Sequence, residues 1–105
     1  MQERVSSALD SLRELAVELQ RGLVAIPAVS PSSGGEGELD KAVWLQDRLE
    51  AFGFDRLERF DAPDAAAKGG VRPNLVALRA GRDTSRTLWL MSHLHVVPPG
   101  DLSAW

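Results

Sequence analysis

The sequence predicts a small layered α/β unit in which two N-terminal amphipathic helices pack on a small mixed sheet of three short apolar strands. Three observations carry this reading. Apolar residues recur twice at helical spacing in the first half of the chain. An Ala-, Gly- and Pro-rich stretch from Asp61 to Pro73 then reads as a mobile connection, and short apolar runs bounded by turn residues follow it.

The first helix places Val5, Ala8, Leu9, Leu12, Leu15, Ala16, Leu19 and Leu23 on one face, with Glu3, Arg4, Asp10, Arg13, Glu14 and Arg21 mostly opposite. This is one helix of about six turns, ended by Pro27, which disfavours helix in the residue before it. Its leucine stripe reads as core packing. Pro31 to Gly35 breaks the helical pattern, which resumes from Glu36 to Phe52 through Leu39, Ala42, Val43, Leu45, Leu49 and Phe52. Glu36, Glu38 and Asp40 load the first turn, where the helix dipole favours negative charge. Gly53 stands where a left-handed residue ends a helix, with Phe54 placed to pack back on Leu49. Residues 54–60 form the first expected strand. Leu75 to Leu78 and Leu88 to Met91 are apolar on both faces and read as strands buried under helices.

The chain's 105 residues, 44% apolar and 26% charged, fit a single unit over 1–105 with enough apolar surface for a core. A net charge of −3 without a basic block argues against a nucleic-acid partner. The absence of cysteine excludes disulfides, thiolate metal sites and thiol nucleophiles, so any metal ion falls to His, Asp or Glu. Charges at Glu3, Arg4 and Asp10 interrupt the N-terminal segment, and no apolar run approaches the roughly 20 residues of a membrane span. A cytoplasmic protein with no membrane partner is expected.

Chemistry concentrates in Ser92-His93-Leu94-His95-Val96-Val97-Pro98-Pro99-Gly100-Asp101, which holds both histidines and follows the most apolar run. Ligands of open α/β sheets bind at the carboxyl ends of strands. If the strand continues, His93 and His95 share a face, about 6.6 Å apart along the backbone. A neutral imidazole so placed is a ligand for zinc or a similar ion, provided its other ring nitrogen is held by an acceptor. Hydrogen-bonded histidines at a loop entrance remain the alternative. Val97-Pro98-Pro99-Gly100 is a stiff turn, and Asp101 reads as a turn or cap residue. Trp44 and Trp89 read as packing residues.

Thr87 to Trp105, TLWLMSHLHVVPPGDLSAW, resembles the first metal-site motif of the zinc-dependent amidohydrolases and exopeptidases that include succinyl-diaminopimelate desuccinylase, acetylornithine deacetylase, aminoacylase and the glutamate carboxypeptidases. Upstream features are similar in the same order: a long helix ending in Ile26-Pro27 with Val29-Ser30-Pro31, a second ending in Gly53-Phe54, and Arg72-Pro73-Asn74-Leu75-Val76 opening a strand. The resemblance implies an incomplete part of a three-layer α/β/α catalytic domain whose two metal ions activate water against an amide. By it His93 is a metal ligand, and His95 occupies the position of a supporting Asp, so that an imidazole replaces a carboxylate. It also implies Zn2+, or Co2+ or Mn2+, in the full-length protein, weak or absent binding here, and a small N-acyl amino acid or peptide as substrate. The family's remaining ligands and its glutamate base follow this motif, beyond Trp105, so the chain is expected to be inactive alone.

Without those following elements an edge of the sheet is expected to be open, favouring self-association. Two other readings compete. One is a noncatalytic α/β module with structural histidines that associates through its sheet edge. The other takes His-x-His as the first strand motif of a β/α-barrel amidohydrolase, which two long helices before the first clear strand disfavour.

Overall fold

The computed structural model describes residues 1–105 as three helices followed by a two-stranded sheet: α1 Gln2–Ser11, α2 Arg13–Ala25, α3 Leu39–Glu50, β1 Arg56–Pro63 and β2 Val71–Leu78. Single 3-10 turns occur at Pro31–Ser33, Lys68–Gly70 and Leu102–Ala104. The expected six-turn first helix is bent in two at Leu12 (φ −97°, ψ 0°). Beside the bend, the Ser11 hydroxyl donates to the Ala8 carbonyl at 2.7 Å, and the Leu12 N–H reaches only three residues back, to Leu9. A hydroxyl that bonds to the preceding turn in this way bends a helix. Ile26 is extended (φ −99°, ψ 116°), the conformation that a residue before proline favours, and α2 ends there.

Helix α3 docks on α2 through Trp44, whose indole packs against Gly22; a β-carbon there would stand 2.1 Å from the ring. The helix begins three residues later than the acidic pattern predicts, because Glu38 turns away from the helix amides toward Arg72. Its end is the one read from the sequence: Gly53 adopts φ +63°. The Arg79 side chain donates to the carbonyls of Phe52 and Gly53 at 2.8 and 3.0 Å, placing a cation where the helix dipole is negative.

Strands β1 and β2 form an antiparallel hairpin from Arg56↔Leu78 to Pro63↔Val71. The sheet is thus antiparallel and two-stranded, in place of the expected mixed, three-stranded one. Much of the presumed mobile connection is strand: only residues 64–70 join the two, and Pro73 sits inside β2 opposite Asp61. Leu88 to Met91 form no strand and are 68–89% exposed, which overturns their reading as a buried strand and that of Trp89 as packed. Their burial requires a neighbour on both faces, and the chain supplies none.

The expected core is also missing. The buried apolar residues besides glycine and proline are Ala28, Ala42 and Ala67, and no large side chain is fully enclosed. The accessible surface is 8657 Å², against about 5,800 Å² for a compact monomer of this mass. The radius of gyration is 16.6 Å, against about 13 Å for a compact domain of this length. Of the leucine stripe, Leu15, Leu19 and Leu23 are half-buried, whereas Val5, Leu9 and Leu12 lie open. No helix is long and apolar enough to cross a membrane.

Candidate metal centre

The histidine segment is held against the loop that follows α2. Val96 pairs in parallel with Val29, and its N–H donates to the carbonyl of the fully buried Ala28 at 3.0 Å. That loop is itself tightly folded. Gly37 N–H donates to the Val29 carbonyl at 2.9 Å, and Gly35 passes so near it that a β-carbon would stand 2.1 Å from the oxygen.

His93 and His95 lie side by side, ring centroids 4.5 Å apart and planes inclined by 35°. They share a side of the backbone as their spacing predicts, but outside any strand and in the open. His93 Nδ1 lies 2.8 Å from the His95 carbonyl oxygen. A carbonyl only accepts, so Nδ1 carries the proton, and in the neutral ring Nε2 is left with a free lone pair. This is the arrangement of a metal-binding imidazole: one ring nitrogen anchored to an acceptor, the other directed outward as a ligand. His93 therefore fits the role of a single ligand. The chain gathers no group of three or more His, Cys, Asp or Glu around a common point, so it does not form a complete metal centre. His95 supports its neighbour through its peptide oxygen and brings no carboxylate charge.

Asp101, the turn residue of the sequence reading, caps the final 3-10 turn by accepting from the Ser103 N–H at 2.8 Å and the Ser103 hydroxyl at 2.7 Å; those bonds hold its carboxyl below the usual aspartate range.

A recess of about 350 Å³ adjoins the segment, lined among others by Pro98, Val29, Gly35, Asp40 and Lys68, with Lys68 donating to Asp40 at 2.6 Å. The larger recess of about 450 Å³, between Leu9, Arg13, Val17 and Arg21, is an open groove along α1 and α2 without metal-ligating imidazoles. Next to Gly37 lies a feature that local sequence patterns do not reveal. Glu38, 5% exposed, is gripped by both Arg72 Nε (2.6 Å) and Nη2 (2.5 Å), and Arg72 Nη1 also lies 3.4 Å from Asp64. The Arg72 hydrogen bonds, aided by its charge and slightly by that of His95, hold the Glu38 carboxyl below its usual range against the opposing effect of burial. Lys41, one turn on and equally buried, has no hydrogen-bonded or ionic partner, and burial depresses its ammonium. The signal for the pair was Arg72 in the Arg-Pro-Asn run, but its partner stands 34 residues away.

Comparison with known proteins gives first a class: metal-dependent hydrolases. The chain is 38% identical over 102 residues to an uncharacterized metallohydrolase of Methanocaldococcus jannaschii, an alignment covering 90% of this chain and 24% of that one. More specifically, it is similar to succinyl-diaminopimelate desuccinylases: 39% identical over 90 residues to that of Methylobacterium nodulans (83% of this chain, 19% of the relative) and 35% over 85 residues to that of Novosphingobium aromaticivorans (81% and 20%). The chain spans about a fifth to a quarter of the length of these relatives. No family model and no solved structure matches it. The resemblance read from the motifs thus holds. The chain is a homologue of metallohydrolases and desuccinylases over a share of their length consistent with an N-terminal segment.

Proposed function

We propose that residues 1–105 are the N-terminal part of the three-layer catalytic domain of a two-metal hydrolase that cleaves the amide bond of N-acyl amino acids or small peptides, N-succinyl-diaminopimelate among them. The observation that carries this is the His93 imidazole, anchored at Nδ1 and free at Nε2, in a chain whose relatives bear hydrolase names. His93 holds one ion and the His95 peptide oxygen orients it. Divalent ions of the zinc, cobalt or manganese type polarise a carbonyl and activate water. Replacement of the family's supporting carboxylate by the His95 imidazole lowers metal affinity or activity by about 10–100-fold. The chain alone, with one ligand in place, is inactive, and the complete protein works in the cytoplasm.

The test uses the full-length gene product, stripped with a chelator and assayed on N-succinyl-diaminopimelate and a panel of N-acyl amino acids before and after Zn2+, Co2+ or Mn2+ is restored. Metal-dependent amide hydrolysis is expected. Its absence across the panel overturns the reading. The exposed Leu88 to Met91 and the unpaired edges of the hairpin favour a second reading, a noncatalytic module that associates through its sheet. That reading predicts a self-associating protein without hydrolase activity.

A further inference from the structure

The histidine segment is tethered thinly: Ser85 and Arg86 bond only their near neighbour Asp83, and from residue 87 onward the one hydrogen bond to the rest of the chain runs from Val96 N–H to the Ala28 carbonyl. Whatever fixes the 27–37 loop therefore fixes the position of His93. The loop's far end runs through Gly37 directly into Glu38. Glu38 stands at the head of α3, yet its side chain makes no capping bond to the helix. Both of its oxygens are taken by one guanidinium edge, the paired geometry that best defines position and direction. Arg72 belongs to β2, and its third contact, Asp64, lies at the start of the connection from β1. A carboxylate this deeply buried stays in place only while its charge is matched, so the pair holds the α3 start to the hairpin. From there the path is continuous: Glu38 to Gly37, whose N–H holds the Val29 carbonyl; Val29 to Val96 across the parallel bridge; Val96 to His95, whose oxygen anchors His93.

We infer that the Glu38–Arg72 pair is a positioning latch for the histidine segment, holding the loop on which Val96 docks so that His93 keeps Nε2 free for the ion. The inference rests on the proposed role of His93 as the metal-facing imidazole. The side chains of Glu38 and Arg72 are taken up by each other and by Asp64, and neither is proposed as a metal or substrate ligand. Both act through the loop, and their effect is read in the geometry of a ring that neither contacts through a hydrogen bond.

Amide hydrogen exchange and 15N imidazole spectra of the 105-residue chain test this. In the wild type, Gly37 and Val96 amides are expected to share one opening equilibrium; protections differing by more than about tenfold overturn the latch without any variant being made. In Glu38→Gln and Arg72→Lys, both amides are expected to lose about tenfold or more in protection, and His93 to shift from the Nδ1–H to the Nε2–H tautomer. The hairpin-closing Asp55 amide, bonded to the Leu78 carbonyl at 2.9 Å, is expected to stay within about twofold, as is every amide in the surface-pair control Arg56→Gln. Equal loss at all amides, or unchanged Val96 and His93, overturns the latch and leaves the role of His93 standing. An Nε2–H tautomer in the wild type overturns the role of His93, while the exchange measurements still report on the latch.

Discussion

Gly22 sits inside α2, where glycine costs about 1 kcal/mol relative to alanine, so Gly22→Ala would stabilise a helix with nothing packed on it. Here the opposite is expected. The new β-carbon would meet Trp44 at 2.1 Å (Cζ2) and 2.3 Å (Cη2), far inside any real carbon contact. The indole cannot slide freely, because it is half-buried and carries the Arg48 guanidinium 5.2 Å from its ring. Overfilling such a contact costs about 1–3 kcal/mol, which outweighs the propensity gain and leaves a net loss of up to about 2 kcal/mol. Urea unfolding followed by far-ultraviolet circular dichroism measures this. The decisive arm is a double mutant: in a Trp44→Ala background the clash is gone, and Gly22→Ala is expected to stabilise by about 0.5–1 kcal/mol. A stabilising Gly22→Ala in the wild-type background refutes the α2–α3 contact described above.

Other outcomes follow from buried charge and exposed apolar surface. Lys41→Met replaces a partly desolvated ammonium, whose stem is buried and whose head has no protein partner, at similar volume and is expected to stabilise slightly, by less than about 1 kcal/mol, in urea unfolding at pH 7. Burial holds the ammonium's folded-state pKa below its ordinary 10.5. The unfolded chain therefore binds more protons just below that value, and wild-type stability should rise as pH climbs toward it, a slope that Lys41→Met removes. Glu38 gives a slope of the same sign, in the acid range. Its carboxyl is held below the ordinary 4.5, so its contribution is complete above that pH and disappears as pH falls through its lower folded-state value. Circular dichroism from pH 7 to 2.5 should show this loss, and Glu38→Gln should flatten it. Leu90→Lys places a charge in the open Leu88–Met91 run and is expected to reduce self-association in analytical ultracentrifugation. A concentration-independent wild-type monomer contradicts that.

What the sequence disclosed was local. Helical spacing and Gly53 located α3 and its end, and Pro27 stopped α2, because backbone preferences operate within a few residues. Asp101 was recognisable as a cap for the same reason. The His93 and His95 rings do lie side by side, but the strand on which the spacing argument depended is absent, and a hydrogen bond from His93 to the His95 carbonyl accompanies their approach. Non-local choices stayed hidden. The strand expected over residues 54–60 is present as β1, but their every-third pattern fits neither helix nor strand cleanly, and its pairing and register with β2 could not be read from it. Leu88 to Met91 carry the composition of a buried strand, but burial needs partners that the chain does not bring. Glu38 looked like a helix-dipole residue; its actual partner, Arg72, lies across the fold.

Zn2+ titration of the chain, followed through the imidazole nitrogens of both histidines, tests the central claim most directly. Weak, sub-stoichiometric binding is expected, with His93 Nε2 responding, the response lost in His93→Ala and surviving in His95→Ala. A tight one-to-one complex abolished by His95→Ala, or a silent His93, would contradict the account.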